Sequence, residues 1–298
     1  MAKLEFTKMH GCGNDYIYVV ATRTRPADPA ALSVRLSDRH FGVGGDGLIM
    51  LAPSSNADLR MEMYNADGSR GDMCGNGIRC LARLAFERGI VRANPMIVET
   101  DAGLKTVSLK LEGRQVVAAT VDMGEPILEG REIPVNAEGR IIDYPLEVAG
   151  QIEQITAVSM GNPHCVIFVG DDAVFGLGDL DFAALGRKFE HHPFFPKRVN
   201  TEFIQPISRT RLKMRVWERG SGETWACGTG ACAALVGAVL TGHAERAATV
   251  ELRGGNLEIE WRESGPDANH VFMTGNAIEV FRGGIELGAD ELISARKA

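Results

Sequence analysis

The chain has 298 residues, enough to bury a substantial core and to divide into two domains, and with 45% hydrophobic and 24% charged residues it has the composition of an ordinary globular protein. A formal net charge of -7 and the absence of any Lys/Arg-rich run argue against nucleic acid as a partner. The opening Met1 to Phe6 lacks the apolar core of a signal peptide, and no apolar run approaches the roughly 18 residues of a membrane span, so the expectation is a cytoplasmic protein with no membrane association.

In chain order, β-rich runs predict strands at Leu4 to Lys8, Tyr16 to Val20, Leu48 to Leu51, Leu59 to Tyr64, Met96 to Thr100, Thr106 to Leu111 and Val116 to Asp122. In the second half they predict strands at Ile155 to Ser159, Val166 to Gly170, Thr201 to Gln205, Arg211 to Trp217, Thr249 to Leu252 and Leu257 to Trp261. Each half offers many strands and one prominent helix. Strands in runs favour an α+β fold with mostly antiparallel or mixed sheets over strict βαβ alternation. The helix at Ala231 to Leu240 is apolar all round and should be enclosed by its sheet. Its counterpart carries Arg79, Arg83 and Arg88, so one face of it is expected at the surface or against the other half. A last strand near Ala277 to Phe281 falls outside the second half and is expected to return to the first domain. The expected domains are therefore 1–121 with 272–298, and 122–271.

The halves repeat one another. Met73-Cys74-Gly75-Asn76-Gly77 and Ala226-Cys227-Gly228-Thr229-Gly230 each lead into helical sequence that ends on a glycine, Gly89 and Gly242, fifteen residues after the cysteine. Nine residues before each cysteine a polar residue follows an aromatic one, Asn65 after Tyr64 and Glu218 after Trp217. Asn14 and Asn162 precede the cysteines by 60 and 65 residues. A cysteine where a Gly-rich turn enters a helix has its thiolate favoured by free backbone N–H groups and by the helix dipole, which can pull its pKa below about 8.5. Two such cysteines suggest a matched pair. Cys80, Cys165 and Cys232 read as core packing, and the six cysteines as reduced thiols without a disulfide framework. The glycine run Gly42 to Gly47 lacks a following Lys-Ser/Thr and reads as a structural turn; His40, His191 and His192 lack metal-ligand companions.

The segments Asn65-Ala66-Asp67-Gly68, Cys74-Gly75-Asn76-Gly77, Gly161-Asn162-Pro163-His164, Val199-Asn200-Thr201-Glu202-Phe203, Trp217-Glu218-Arg219-Gly220 and Ala226-Cys227-Gly228-Thr229-Gly230-Ala231 closely resemble those of diaminopimelate epimerase. So do Phe6-Thr7-Lys8-Met9-His10-Gly11 and Phe41-Gly42-Val43-Gly44-Gly45-Asp46-Gly47, and the resemblance runs from about Leu4 to Phe281. It implies two pseudo-symmetric domains, each a barrel-like sheet wrapped around a central helix, with the site in the cleft between them. It also implies a homodimer that interconverts LL- and meso-diaminopimelate, a step towards lysine and cell-wall precursors, with no cofactor and no metal.

That chemistry fits the motifs. Inverting an α-carbon by proton transfer needs a base on one face and an acid on the other, and Cys74 and Cys227 are the residues for those roles. One must be thiolate and the other thiol, so their titrations are coupled. The N–H groups at Gly75-Asn76 and Gly228-Thr229 can receive the charge that develops on the substrate carboxylate. The resemblance implies that Asn14, Asn65, Asn162, Asn200, Glu218 and Arg219 hold the substrate, Arg219 forking onto its distal carboxylate and Glu218 with Asn65 accepting from its distal ammonium. His164 and Glu218 are candidates for tuning the thiols. Some family members carry glutamine at Gly47, so no contact carries over there, and Cys12 replaces a commonly aliphatic residue. Two other functions stand beside this one. A racemase of proline, hydroxyproline or histidine would keep both cysteines without the distal set; a redox dithiol protein would work through a Cys74–Cys227 disulfide.

Overall fold

The structure, a computed structural model, describes residues 2–170, 174–288 and 290–294; residues 1, 171–173, 289 and 295–298 of the expected domains lie outside it. The chain divides into two compact units, Met1–Val121 with Gly275–Ala298, and Asp122–Thr274. The first contains β1 (Ala2–Gly11), β2 (Asn14–Val20), β3 (Thr24–Pro26), α1 (Pro29–Ser37), β4 (Gly47–Ala52), β5 (Leu59–Asn65), β6 (Arg70–Gly71), α2 (Gly75–Glu87), β7 (Met96–Thr100), β8 (Gly103–Glu112) and β9 (Gln115–Gly124). The second contains β10 (Tyr144–Val148), β11 (Gln151–Ser159), β12 (Pro163–Phe168), α3 (Asp179–Glu190), β13 (Asn200–Ser208), β14 (Arg211–Glu218), β15 (Gly222–Glu223), α4 (Gly228–Leu240), β16 (Ala247–Leu252), β17 (Gly255–Trp261) and β18 (Val271–Gly275). The chain then returns to the first unit as β19 (Ile278–Leu287) and β20 (Leu292–Ser294).

The two sheets have one pattern. In the first unit β1/β2 is antiparallel, β2/β4 parallel, β4/β5 antiparallel, β5/β7 parallel, and β7/β8 and β8/β9 antiparallel. In the second, β11/β12, β12/β13, β13/β14, β14/β16, β16/β17 and β17/β18 repeat that series step by step. The flanking strand is supplied differently: β19 pairs with β1, whereas β10 precedes and pairs with β11. Because β18 continues the second sheet from β17, that unit runs past residue 271 to Thr274.

Helix α4 packs against β11, β12, β13, β14, β16 and β17, so the sheet curls around it as its all-apolar sequence requires. Helix α2 is held in the same way by β1, β2, β4 and β8. The expectation that its arginines mark a surface face fails at Arg79. That side chain is fully buried and donates to the carbonyls of Gly75 and Asn276, both in the first unit. Arg83 donates to the Ala277 carbonyl and pairs with Glu87, and Arg88 is exposed.

Two helices join the one expected in each half. The N-terminus of α1 is capped by Asp28, whose carboxylate accepts the Ala31 N–H, with proline in the first turn. Acidic residues open α3 and basic residues close it, in keeping with its dipole. Each covers an apolar layer on its sheet: Leu32 and Leu36 over Ile17, Val19, Leu48 and Met50, and Phe182 and Phe189 over Phe203 and Trp217.

Candidate active site

Both cysteines stand at equivalent helix starts. Cys74 is the N-cap of α2, its Sγ accepting the Gly77 N–H at 3.3 Å, and Cys227 is the N-cap of α4, its Sγ accepting the Gly230 N–H at 3.3 Å. The registers Gly47↔Asn65 and Thr201↔Trp217 make Asn65 the counterpart of Glu218 and Gly47 that of Asn200. Asn14, which opens β2, and Asn162, which immediately precedes β12, likewise stand at matching places.

In the first unit the Asn76 amide donates to Asn14 Oδ1, and Asn14 Nδ2 donates to Asp46 at 3.4 Å. Asp46 also accepts the Asp15 N–H and an Arg39 N–H, while Asp15 is paired with Arg39 and with the nearly buried Lys8. Burial and the neighbouring Asp15 raise the Asp46 carboxyl above its ordinary range. A chain of polar contacts thus runs from exposed Arg39 to the first turn of α2. Asn65 donates to Ser69 Oγ at 2.9 Å, holding the turn before Cys74. Beneath that turn Tyr18 donates to the Gly77 carbonyl. A Cβ on Gly47 would collide with the carbonyl oxygen of Tyr64, so on this backbone no side chain fits there and the amide supplied by Asn200 in the second unit has no counterpart.

The second unit is more acidic around its thiol. His164 is fully buried, with Nδ1 2.7 Å from Glu202 Oε1 and Nε2 2.9 Å from Asn162 Oδ1. Glu218 accepts from the Thr224 hydroxyl and lies within hydrogen-bond reach of the Cys227 thiol. Burial raises the Glu218 carboxyl above its ordinary range. Asn200 is buried, its Oδ1 accepting the Arg219 N–H. Arg219 itself is exposed and donates to the Lys197 carbonyl at 3.1 Å. Glu190, at the end of α3, accepts from the Trp217 indole and from the Gly220 N–H, which fixes the turn carrying Glu218 and Arg219.

The sequence expectation of a lowered thiol fails at Cys227. Burial, followed by the charges of Glu218 and Glu202, pushes this thiol well above its ordinary range, and the Thr229 hydroxyl and Gly230 N–H do not offset them. Desolvation of an anion at 5% exposure outweighs a helix terminus. Cys80 and Cys165 are buried with raised pKa values, Cys80 to about 11. Cys12 occupies the turn between β1 and β2 at φ 52°, its N–H donating to Asn276 Oδ1 and its Sγ 3.8 Å from the Arg79 guanidinium.

The structure therefore brings Asn14, Cys74, Gly75 and Asn76 together at the head of α2, and Asn162, His164, Glu218, Cys227, Gly228 and Thr229 at the head of α4. Asn65 ends β5, Asn200 opens β13, and Arg219 stands on the turn after β14. Sequence reasoning missed Glu202, Glu190, Asp46 and Thr224. Glu202 left a signal, an acidic residue inside a β-rich run. Among the described residues no cluster of His, Cys, Asp and Glu could hold a metal ion, and no helix is long and apolar enough to cross a membrane.

Residues 6–129 and 156–280 match the family profile of diaminopimelate epimerase. The chain is 52% identical over 287 residues to a diaminopimelate epimerase of Desulfovibrio desulfuricans, covering 94% of this chain and 97% of the relative. It is 51% identical over 285 residues to one of Acetivibrio thermocellus, covering 95% and 99%. Among solved structures, a hydroxyproline epimerase from Agrobacterium vitis superposes with a TM-score of 0.66 over 96% of this chain and 91% of that one, at 14% identity, a likeness of fold alone. On the strength of the profile and of these relatives, the chain belongs to the diaminopimelate epimerase family.

Proposed function

We propose that this protein epimerises LL-diaminopimelate to meso-diaminopimelate by a two-base mechanism that needs no cofactor. The observation that carries the reading is the matched pair of N-cap cysteines, Cys74 and Cys227, each with its sulfur on the first turn of a sheet-enclosed helix. In this reading the two units are the two domains of the enzyme, and the thiols serve opposite faces of one α-carbon. One takes the α-proton as thiolate while the other delivers a proton as thiol. The charge that develops on the substrate carboxylate is met by the N–H groups of Gly75, Asn76, Gly228 and Thr229, groups that need no rearrangement during the reaction.

Asn14, Asn65, Asn162, Asn200, Glu218 and Arg219 hold the substrate, with Arg219 on the distal carboxylate and Glu218 and Asn65 on the distal ammonium. His164 and Glu218 tune Cys227. The product leads to lysine and peptidoglycan precursors, and the working form is a cytoplasmic homodimer. A substrate with two amino-acid ends suits this polar set better than proline does. The test is replacement of each cysteine: Cys74→Ala and Cys227→Ala should each abolish epimerisation with the fold retained, and added pyridoxal phosphate or chelator should change nothing. Full activity in either variant would end the two-base reading.

A further inference from the structure

The two helix starts differ in what lies under them. A Cβ built on Gly77 would fall 2.6 Å from Cδ1 of Ile49, on β4, and one built on Gly230 would fall 2.7 Å from Oε1 of Glu202, on β13. Since β4 and β13 are equivalent strands, an alkyl group underlies the first turn of α2 and a carboxylate the first turn of α4. Glu202 is fully buried. Its Oε1 meets His164, and its Oε2 is buried with no hydrogen-bond partner. A buried carboxylate with one oxygen unpaired is costly, and such a group in a native fold calls for a functional explanation.

The charges around the head of α4 can be counted by element. Strand β12 contributes His164, β13 Glu202 and β14 Glu218, while the thiol of Cys165 lies in the apolar layer on the other face of the sheet. Arg215 of β14 is engaged by Glu223 of β15, and Lys213 lies over the Phe175 ring. Glu153 on β11, Glu251 on β16 and Glu258 and Glu260 on β17 take half-buried or exposed positions. The positive end of the α4 dipole is thus faced from below by a carboxylate, whereas that of α2 is faced by Ile49.

We propose that Glu202 makes the two pseudo-equivalent cysteines unequal: its carboxylate, standing under α4 where Ile49 stands under α2, keeps the proton on Cys227, so that the resting enzyme donates from that side. Glu202 is a positioning residue, acting on the reaction through His164 and through the first turn of α4. The proposal rests on the two-base reading for its consequence, but not for its measurement, which uses substrate-free protein.

The experiment follows thiolate absorbance against pH in Cys74→Ser protein, with the Cys74→Ser/Cys227→Ser protein subtracted. Cys227 should titrate above the ordinary thiol value of about 8.5, and Glu202→Gln should lower its midpoint by about one pH unit or more. Glu202→Asp, which keeps the charge, should retain the high midpoint. A purely structural role would weaken the fold without moving the midpoint. If Cys227 titrates at or below the ordinary value with Glu202 intact, the proposal is overturned even should Glu202→Gln fail to fold. An unmoved midpoint in a folded Glu202→Gln protein overturns it equally. Either result leaves the epimerase reading standing, since that reading is decided by substrate turnover.

Discussion

The side-chain oxygen of Asn200 accepts the backbone N–H of Arg219 at 2.8 Å, across the turn that follows β14. Asn200 is buried, and its oxygen is committed to the protein, so in the proposed site only its amide N–H groups remain for substrate. Asn200→Ala leaves the Arg219 N–H unpaired and frees the turn, at a cost of about 1–3 kcal/mol. The expected outcome is kcat/KM for diaminopimelate lowered on the order of tenfold to a hundredfold, with the circular dichroism spectrum unchanged.

Arg219 tests the distal end of the substrate. Lysine keeps the charge there but not the planar fork that matches a carboxylate. Arg219→Lys and Glu218→Gln should each reduce kcat/KM at least about tenfold, and binding energy lost at the remote end should lower turnover as well as affinity. Proline, alanine and lysine should be poor substrates of the unaltered enzyme. Silence of Arg219→Lys in a steady-state assay would remove this residue from the site.

Glu190 links stability to pH. Burial works against its charge, but the Trp217 indole and the Gly220 N–H hold its carboxyl below its ordinary range. A carboxyl whose folded pKa is depressed adds stability above its unfolded pKa, about 4.3, and that stability is lost as pH falls through the lower folded value. Thermal melts across this acid range should therefore fall more steeply for the unaltered protein than for Glu190→Gln. At neutral pH Glu190→Ala should cost about 1–3 kcal/mol, because the buried Trp217 indole loses its acceptor and the Gly220 N–H loses the contact that fixes its turn.

Gly230 is set by close approach. A methyl group there would meet Glu202 Oε1 at 2.7 Å and Cys227 Sγ at 3.2 Å, inside contact distance for both. Gly230→Ala should destabilise the second unit by about 1–3 kcal/mol and depress turnover through the displaced sulfur. A denaturant titration beside an activity assay checks both.

The residue pattern made much of this visible. The runs at Leu59 to Tyr64 and Met96 to Thr100 became β5 and β7 almost without change, because the alternation of Leu59, Met61 and Met63 with polar residues and the apolar run Met96-Ile97-Val98 are strong local signals. Both Gly-rich turns revealed the N-cap cysteines and the pseudo-symmetry that the strand pairings repeat. The helices α1 and α3 were missed although Asp28-Pro29 and the Gly178 N-cap and charged ends of α3 announce them; their short amphipathic stretches lack the cysteine-led glycine repeat that exposed α2 and α4. The raised Cys227 thiol was not legible. A helix terminus is a local signal; of the carboxylates that oppose it Glu218 lies nine residues upstream and was in view as a tuning candidate, but Glu202 arrives from β13, farther off in sequence, and burial is a property of the whole unit. Arg79 misled for the same reason, since the carbonyl of Asn276 that receives it belongs to the returning segment.

The central claim is that two thiols act on opposite faces of one carbon. Its most direct test is incubation with LL-diaminopimelate in deuterium oxide, without added cofactor, followed by mass analysis of substrate and product at early times. In a two-base reaction the proton leaves to one thiol and the other delivers a solvent-derived deuteron. The account predicts meso product carrying α-deuterium, formed while the remaining LL substrate still holds its α-protium. Meso product that retains the original α-protium would contradict it, because a single base would then have carried the same proton from one face to the other.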